Sequence, residues 1–304
     1  STRNFAILVP ISKTLQPFQR INLYKNVHVK NLKSLLLLAF QLLKTGDGGL
    51  VKAMSFGQDS TFAHADGELF KAVVDQVAPL LSSLEKLKDR FSDLPQPNNF
   101  LSNIHHFRML RHLELAFNDP THLNDLLSLQ HLNEVHLRLV APLVITPPTS
   151  RGSMNYNRLA VDILEVTLLD DEDFPPDLLA FIGMVDARNY TFQNPRDLFS
   201  AVARIKNSPL QLTLLGLYGR TGTLQLMDIQ LNRFTSLQHL ILGGEHLLAS
   251  DTFFNNVFTN LTCLSKLTID SDLIIDVPHL VDALTPTTAA NSLREIVMDN
   301  TNAE

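Results

Sequence analysis

The chain reads LTLLGL at 212–217, LQHLIL at 237–242, LSKLTI at 264–269 and LREIVM at 293–298. Each hexamer is apolar-x-x-apolar-x-apolar, and the four starts are almost evenly spaced along the chain. One such hexamer says little in a leucine-rich chain. Four at a nearly constant step specify a repeat of supersecondary size. The closing residues alternate, so their apolar side chains project to one side of a short strand. A strand this short is not stable alone; it pairs with the strand of the next turn and shares its core.

Outward from this stretch the pattern continues as LRHLEL at 110–115, LNEVHL at 132–137 and ILEVTL at 163–168. Weaker copies are VKAMSF at 51–56 and IGMVDA at 182–187, and a degenerate one at Leu84 and Leu87 has Asp89 in the last apolar place. The starts, at positions 51, 84, 110, 132, 163, 182, 212, 237, 264 and 293, keep an irregular step of leucine-rich-repeat size. They predict an α/β leucine-rich-repeat solenoid of about ten irregular helix–strand repeats, with a parallel sheet on the concave face. The returns between strands read as helices. In 197–205 (DLFSAVARI), Leu198, Val202 and Ile205 share one face; 253–258 (FFNNVF) and 277–284 (VPHLVDAL) repeat the spacing. Asn194-Pro195 and Ser250-Asp251 supply start signals ahead of two of them. Asn118 follows the copy at Leu110 in the place where many such repeats carry a turn-bonding asparagine, but the other copies lack it, which favours helical returns.

Composition agrees with a folded chain. Of 304 residues, 45% are hydrophobic and 18% charged. The longest apolar run, 35–40 with Leu42 and Leu43, falls short of the ~20 residues that span a membrane. A net charge of −6, with the densest basic stretch only Lys25, Lys30, Lys33 and Lys44, argues against a nucleic-acid surface. The single cysteine, Cys263, excludes an intramolecular disulfide and a cysteine-based zinc site, and it is read as packed beside Leu264. This usage fits the cytoplasm or nucleus. The sequons at Asn189 and Asn260 are read as chance occurrences. The chain opens at Ser1 without an initiator methionine, which reads as a processed form or a piece of a longer protein.

No catalytic constellation emerges, so the chain is read as a binder and not an enzyme, with no cofactor. Among eleven histidines the tightest group is His105, His106 and His112, followed by His122, His131 and His136. None has HExxH spacing, and they are read as solvated or partner-facing with no metal. The run Asp170, Asp171, Glu172, Asp173 lacks the spacing and glycine of a calcium loop and reads as a solvated turn. Gly46-Asp47-Gly48-Gly49 has no phosphate-loop lysine and reads as a helix end. Prolines 142, 147 and 148 mark 141–157 as a loop or insertion.

The x positions of the strands face away from the leucines and form a lane on the concave side. There the pattern places Arg111, His112, Glu114, Asn133, Glu134, His136, Glu165 and Thr167. Towards the carboxy terminus it places Gln238, His239, Ile241, Ser265, Lys266, Thr268, Arg294, Glu295 and Val297. The charge is mixed, which suits a protein partner.

The segment 1–45 differs from the rest. Between Asn4 and Val29 come Leu8, Val9, Ser12-Lys13, Leu15, Phe18 and the block Leu23-Tyr24-Lys25-Asn26-Val27. This order resembles the second half of an F-box, and its combination with irregular repeats is similar to fungal F-box/leucine-rich-repeat proteins. The family's leucine-proline pair and first helix have no counterpart here, so the F-box reads as truncated at its amino terminus. The resemblance implies the substrate-recognition subunit of a cullin–RING ubiquitin ligase, with the substrate on the concave face. Leu8, Leu15, Phe18 and Tyr24 would then face the ligase adaptor. The alternative is a repeat scaffold or regulator in which 1–45 is only a helical cap on the solenoid of 46–304.

Overall fold

The computed structural model describes residues 22–56, 67–89, 99–117, 120–139, 158–168, 173–194, 196–206, 212–219, 222–223, 231–244, 247–248, 253–270, 277–284 and 292–299. Among them is an eleven-stranded parallel sheet whose strands neighbour one another in chain order. Its members are β1 (Asn26–Val29), β2 (Ala53–Phe56), β3 (Lys86–Asp89), β4 (His112–Phe117), β5 (Glu134–Leu139) and β6 (Leu159–Thr167). They continue as β7 (Val185–Gln193), β8 (Leu214–Tyr218), β10 (His239–Gly243), β12 (Lys266–Asp270) and β13 (Glu295–Asp299). The two-residue strands β9 (Gly222–Thr223) and β11 (Leu247–Leu248) form a separate parallel pair. A parallel pair needs a crossover, and helices such as Gly67–Val77, Leu198–Arg204, Phe253–Asn260 and Val277–Ala283 supply it. The architecture is an α/β, solenoid-like stack.

The strand register sets the true repeat. Val27, Met54, Leu87, Leu113, Val135 and Leu164 stand side by side, followed by Tyr190, Leu215, Leu240, Leu267 and Ile296. Two of the ten expected frames are therefore corrected. In β6 the inward residues are Val161, Leu164 and Val166, while Ile163 is half-buried on the other side. In β7 they are Ala187, Tyr190 and Phe192; Ile182 instead ends the helix Pro176–Ile182. An eleventh rung, Tyr24, Val27 and Val29, lies in the segment expected to be a purely helical cap. With these frames every step from Leu113 to Ile296 falls inside the leucine-rich-repeat range, and the one long step is Met54 to Leu87.

The inward residues and the helices' apolar sides make one continuous core. Each fully buried leucine contributes about 2 kcal/mol, so the ladder dominates the fold. Its exceptions are polar. Asp89 is buried in the last apolar place of β3. Tyr190 keeps its hydroxyl satisfied by donating to the Val185 carbonyl at 2.7 Å and accepting from the Ala187 amide at 3.1 Å. Burial raises its pKa to about 12.

The helix Leu32–Thr45 shows local sequence control. Asn31 caps it by accepting from the Ser34 amide at 2.9 Å, and the Ser34 hydroxyl oxygen accepts from the Asn31 amide at 3.0 Å. It stops where expected, at Gly46, with φ 71° and an amide donating to the Leu42 carbonyl. Asn118, Asp170, Asp171, Glu172 and the loop 141–157 lie outside the described residues. No helix among the described residues is long and apolar enough to cross a membrane.

Candidate functional site

The outer face of the sheet, opposite the ladder, carries the site. Because each strand is in register with the next, its outward residues form rows. In one row His112 stands beside Glu134, and Glu134 beside Ile163. In the next, Lys88, Glu114, His136, Glu165 and Thr191 follow one another from β3 to β7. Across β4–β6 this makes a grid of alternating imidazoles and carboxylates, which is the favourable cross-strand arrangement.

Its contacts are specific. The Lys88 ammonium lies 2.9 Å from Glu114 Oε2. His112 Nδ1 is hydrogen-bonded to Glu134 Oε2. His136 Nδ1–H donates to Glu165 Oε2 at 2.7 Å, since an ionised carboxylate can only accept. The Gln193 amide donates to Glu165 Oε1 at 2.8 Å. The His112 and His136 rings are 5.4 Å apart, inclined at 40°. His112 Nε2 is buried and has no hydrogen-bond partner among the described residues. A depression of about 220 Å³ lies over the second row, lined by Asp89, Glu114, His136, Arg138, Glu165 and Thr167.

Burial lowers the pKa of His112, and the neighbouring Lys86 and His136 act the same way, against the opposing effect of Glu134. The ring is therefore held neutral more readily than a free histidine. His239 is lowered for the same first reason, with Lys266 adding to it. Burial also lowers His106, helped by His105 and Arg108.

The expected lane divides into two groups. His112, Glu114, Glu134, His136 and Glu165 converge, and Thr167 lines the depression. His239, Thr268, Lys266 and Glu295 form a second group, with His239 Nε2 to Thr268 Oγ1 at 2.9 Å and Lys266 Nζ to Glu295 Oε1 at 3.2 Å. Arg111, Gln238 and Arg294 are exposed just ahead of their strands. Lys88 and Gln193 are not among the residues the sequence pattern picks out. Lys88 sits in the degenerate copy, and Gln193 belongs to the strand whose frame the pattern misplaces.

Two expectations need correction. Tyr24 is 8% exposed and packs in the core, so it does not present a surface to an adaptor. Cys263 is exposed beside Leu264, not packed. Leu8, Leu15 and Phe18 lie outside the described residues. Compared with known proteins, the chain matches no protein-family model and no curated protein.

Proposed function

We propose that the chain is a leucine-rich-repeat module that binds a protein partner on the outer face of its sheet, centred on β4–β6. It works as a binder and not an enzyme, in the cytoplasm or nucleus, and not on nucleic acid or membranes. The supporting observation is the grid itself: half-buried histidines and carboxylates held in register, with donors and acceptors around a shallow depression. Such a surface offers many directional polar contacts to a protein and no single deep pocket to a small molecule. The repeat assignment is supported by the stepping of the ladder from Leu113 to Ile296, which stays within the leucine-rich-repeat range, and by helical returns such as Pro176–Ile182 and Phe253–Asn260.

The more specific reading is a substrate-recognition subunit of an F-box-type cullin–RING ubiquitin ligase. It rests on the amino-terminal resemblance and on an exposed apolar strip, Leu37, Phe40 and Leu43, on the following helix. A strip of this kind suits contact with another protein. The scaffold reading also has a specific observation in its favour. Tyr24 and β1 are built into the sheet and core, as a structural cap would be. Gel filtration of a chain extended upstream of Ser1 with the purified ligase adaptor separates the two: a one-to-one complex supports the ligase subunit, and separate elution supports the scaffold. The binding face is tested by Glu114→Lys with His136→Glu. The pair should abolish partner recovery while leaving the melting temperature unchanged; equal loss of fold and binding would count against it.

A further inference from the structure

The register of β4 and β5 brings together three groups that no metal-ligand motif in the sequence connects. A ring nitrogen of His112, a carboxylate oxygen of Glu134 and a ring nitrogen of His136 all lie within 4.8 Å of one another. We propose that His112, Glu134 and His136 bind a divalent transition-metal ion of the zinc class on the outer face of the sheet.

Three features argue for this. Ligands around tetrahedral zinc stand about 3.3 Å apart, so small side-chain rotations close the present separations. His136 is already oriented as a ligand. Glu165 accepts its Nδ1–H and the Gln193 amide holds Glu165, which fixes the tautomer and leaves Nε2 with a lone pair to give. His112 is the third feature. Its Nδ1 meets the Glu134 carboxylate, so these two donor atoms already stand side by side. The donor set is two imidazoles and one carboxylate, which suits zinc, cobalt, nickel or copper. It does not suit magnesium or calcium, whose shells are built from oxygens. Three protein ligands leave a fourth position to water or to a side chain of whatever docks on this face.

The test uses the full chain, stripped with a chelator and titrated with zinc chloride by calorimetry and with cobalt chloride by visible absorption. One ion per chain should bind, with a cobalt d–d band reporting mixed nitrogen and oxygen ligands. His112→Ala with His136→Ala should weaken binding by about 100-fold or more, and Glu165→Gln by about 10-fold with a shifted band. Glu134→Gln keeps the shape and a hydrogen-bonding amide but removes the charged ligand. It should weaken zinc by about 10-fold or more, and it carries the test if the histidine variants melt early. His105→Ala with His106→Ala should leave affinity unchanged. Unaltered binding in the first histidine pair, loss in the second, or displacement by magnesium at similar concentration would each overturn the proposal.

Discussion

Inward, Leu113, Val135 and Leu164 of β4, β5 and β6 match Leu215, Leu240 and Leu267 of β8, β10 and β12, all at 0% exposure. Outward, the two regions have little in common. The row over β4–β6 is Glu114, His136, Glu165; the same row over β8, β10 and β12 is Gly216, Ile241, Thr268. There the Tyr218 ring lies against the backbone of β10, close enough that a Cβ on Gly243 would meet it at 2.6 Å. Burial constrains the inner face to one answer, so both regions give it. The outer face is freer to vary, and among the described residues only β4–β6 uses that freedom for paired histidines and carboxylates. Half-buried polar grids are costly to assemble unless each group is partnered, which is why we place function there.

The largest expected effect tests whether the ladder is common to both regions. Leu164→Ala and Leu240→Ala should each cost about 2–5 kcal/mol in urea unfolding, and Ile163→Ala about 1 kcal/mol or less. A larger loss at Ile163 than at Leu164 would reverse the register assigned to β6 and dissolve the grid. Next, Tyr190→Phe should cost about 1–3 kcal/mol, because it removes the donor to the buried Val185 carbonyl. A neutral result would show that the middle strands tolerate an unpaired carbonyl.

The pH response is smaller. His112 and His239 have folded pKa values below 6.5, so the unfolded chain takes up their protons first. Their contribution is complete above the unfolded value and is lost as pH falls through the folded ones. The melting temperature should therefore fall between about pH 7 and about pH 5, less steeply in His112→Gln. An unchanged slope in that variant would detach His112 from the effect. The smallest effect is at the carboxy-terminal group. Lys266→Ala breaks an exposed pair with Glu295 and should cost about 0.5 kcal/mol or less in thermal unfolding.

The sheet is legible in the sequence because leucine spacing reports burial directly, and the last four hexamers sit in their true frames. The pattern misleads where chemistry other than leucine fills the ladder. ILEVTL satisfies it in two frames, since Val161 precedes the hexamer and Leu168 closes it. Ala187, Tyr190 and Phe192 include no leucine at all, so IGMVDA draws the frame too early. β1 is hidden because a tyrosine and two valines make its rung. The outward residues are identifiable one by one, yet their meeting is not. His112, Glu134 and His136 belong together only once β4 and β5 are paired, and spacing within one strand carries no information about the neighbouring strand.

If function resides on the outer face of β4–β6 and not along the whole sheet, charge reversal must matter there and not elsewhere. Quantitative affinity isolation from native extract compares the unmodified chain with Glu114→Lys/Glu165→Lys and with Lys266→Glu/Glu295→Lys, after checking that all three melt at the same temperature. We predict that the first pair loses the partners recovered by the unmodified chain and that the second retains them. Equal recovery by all three, or loss confined to the second pair, would contradict the account.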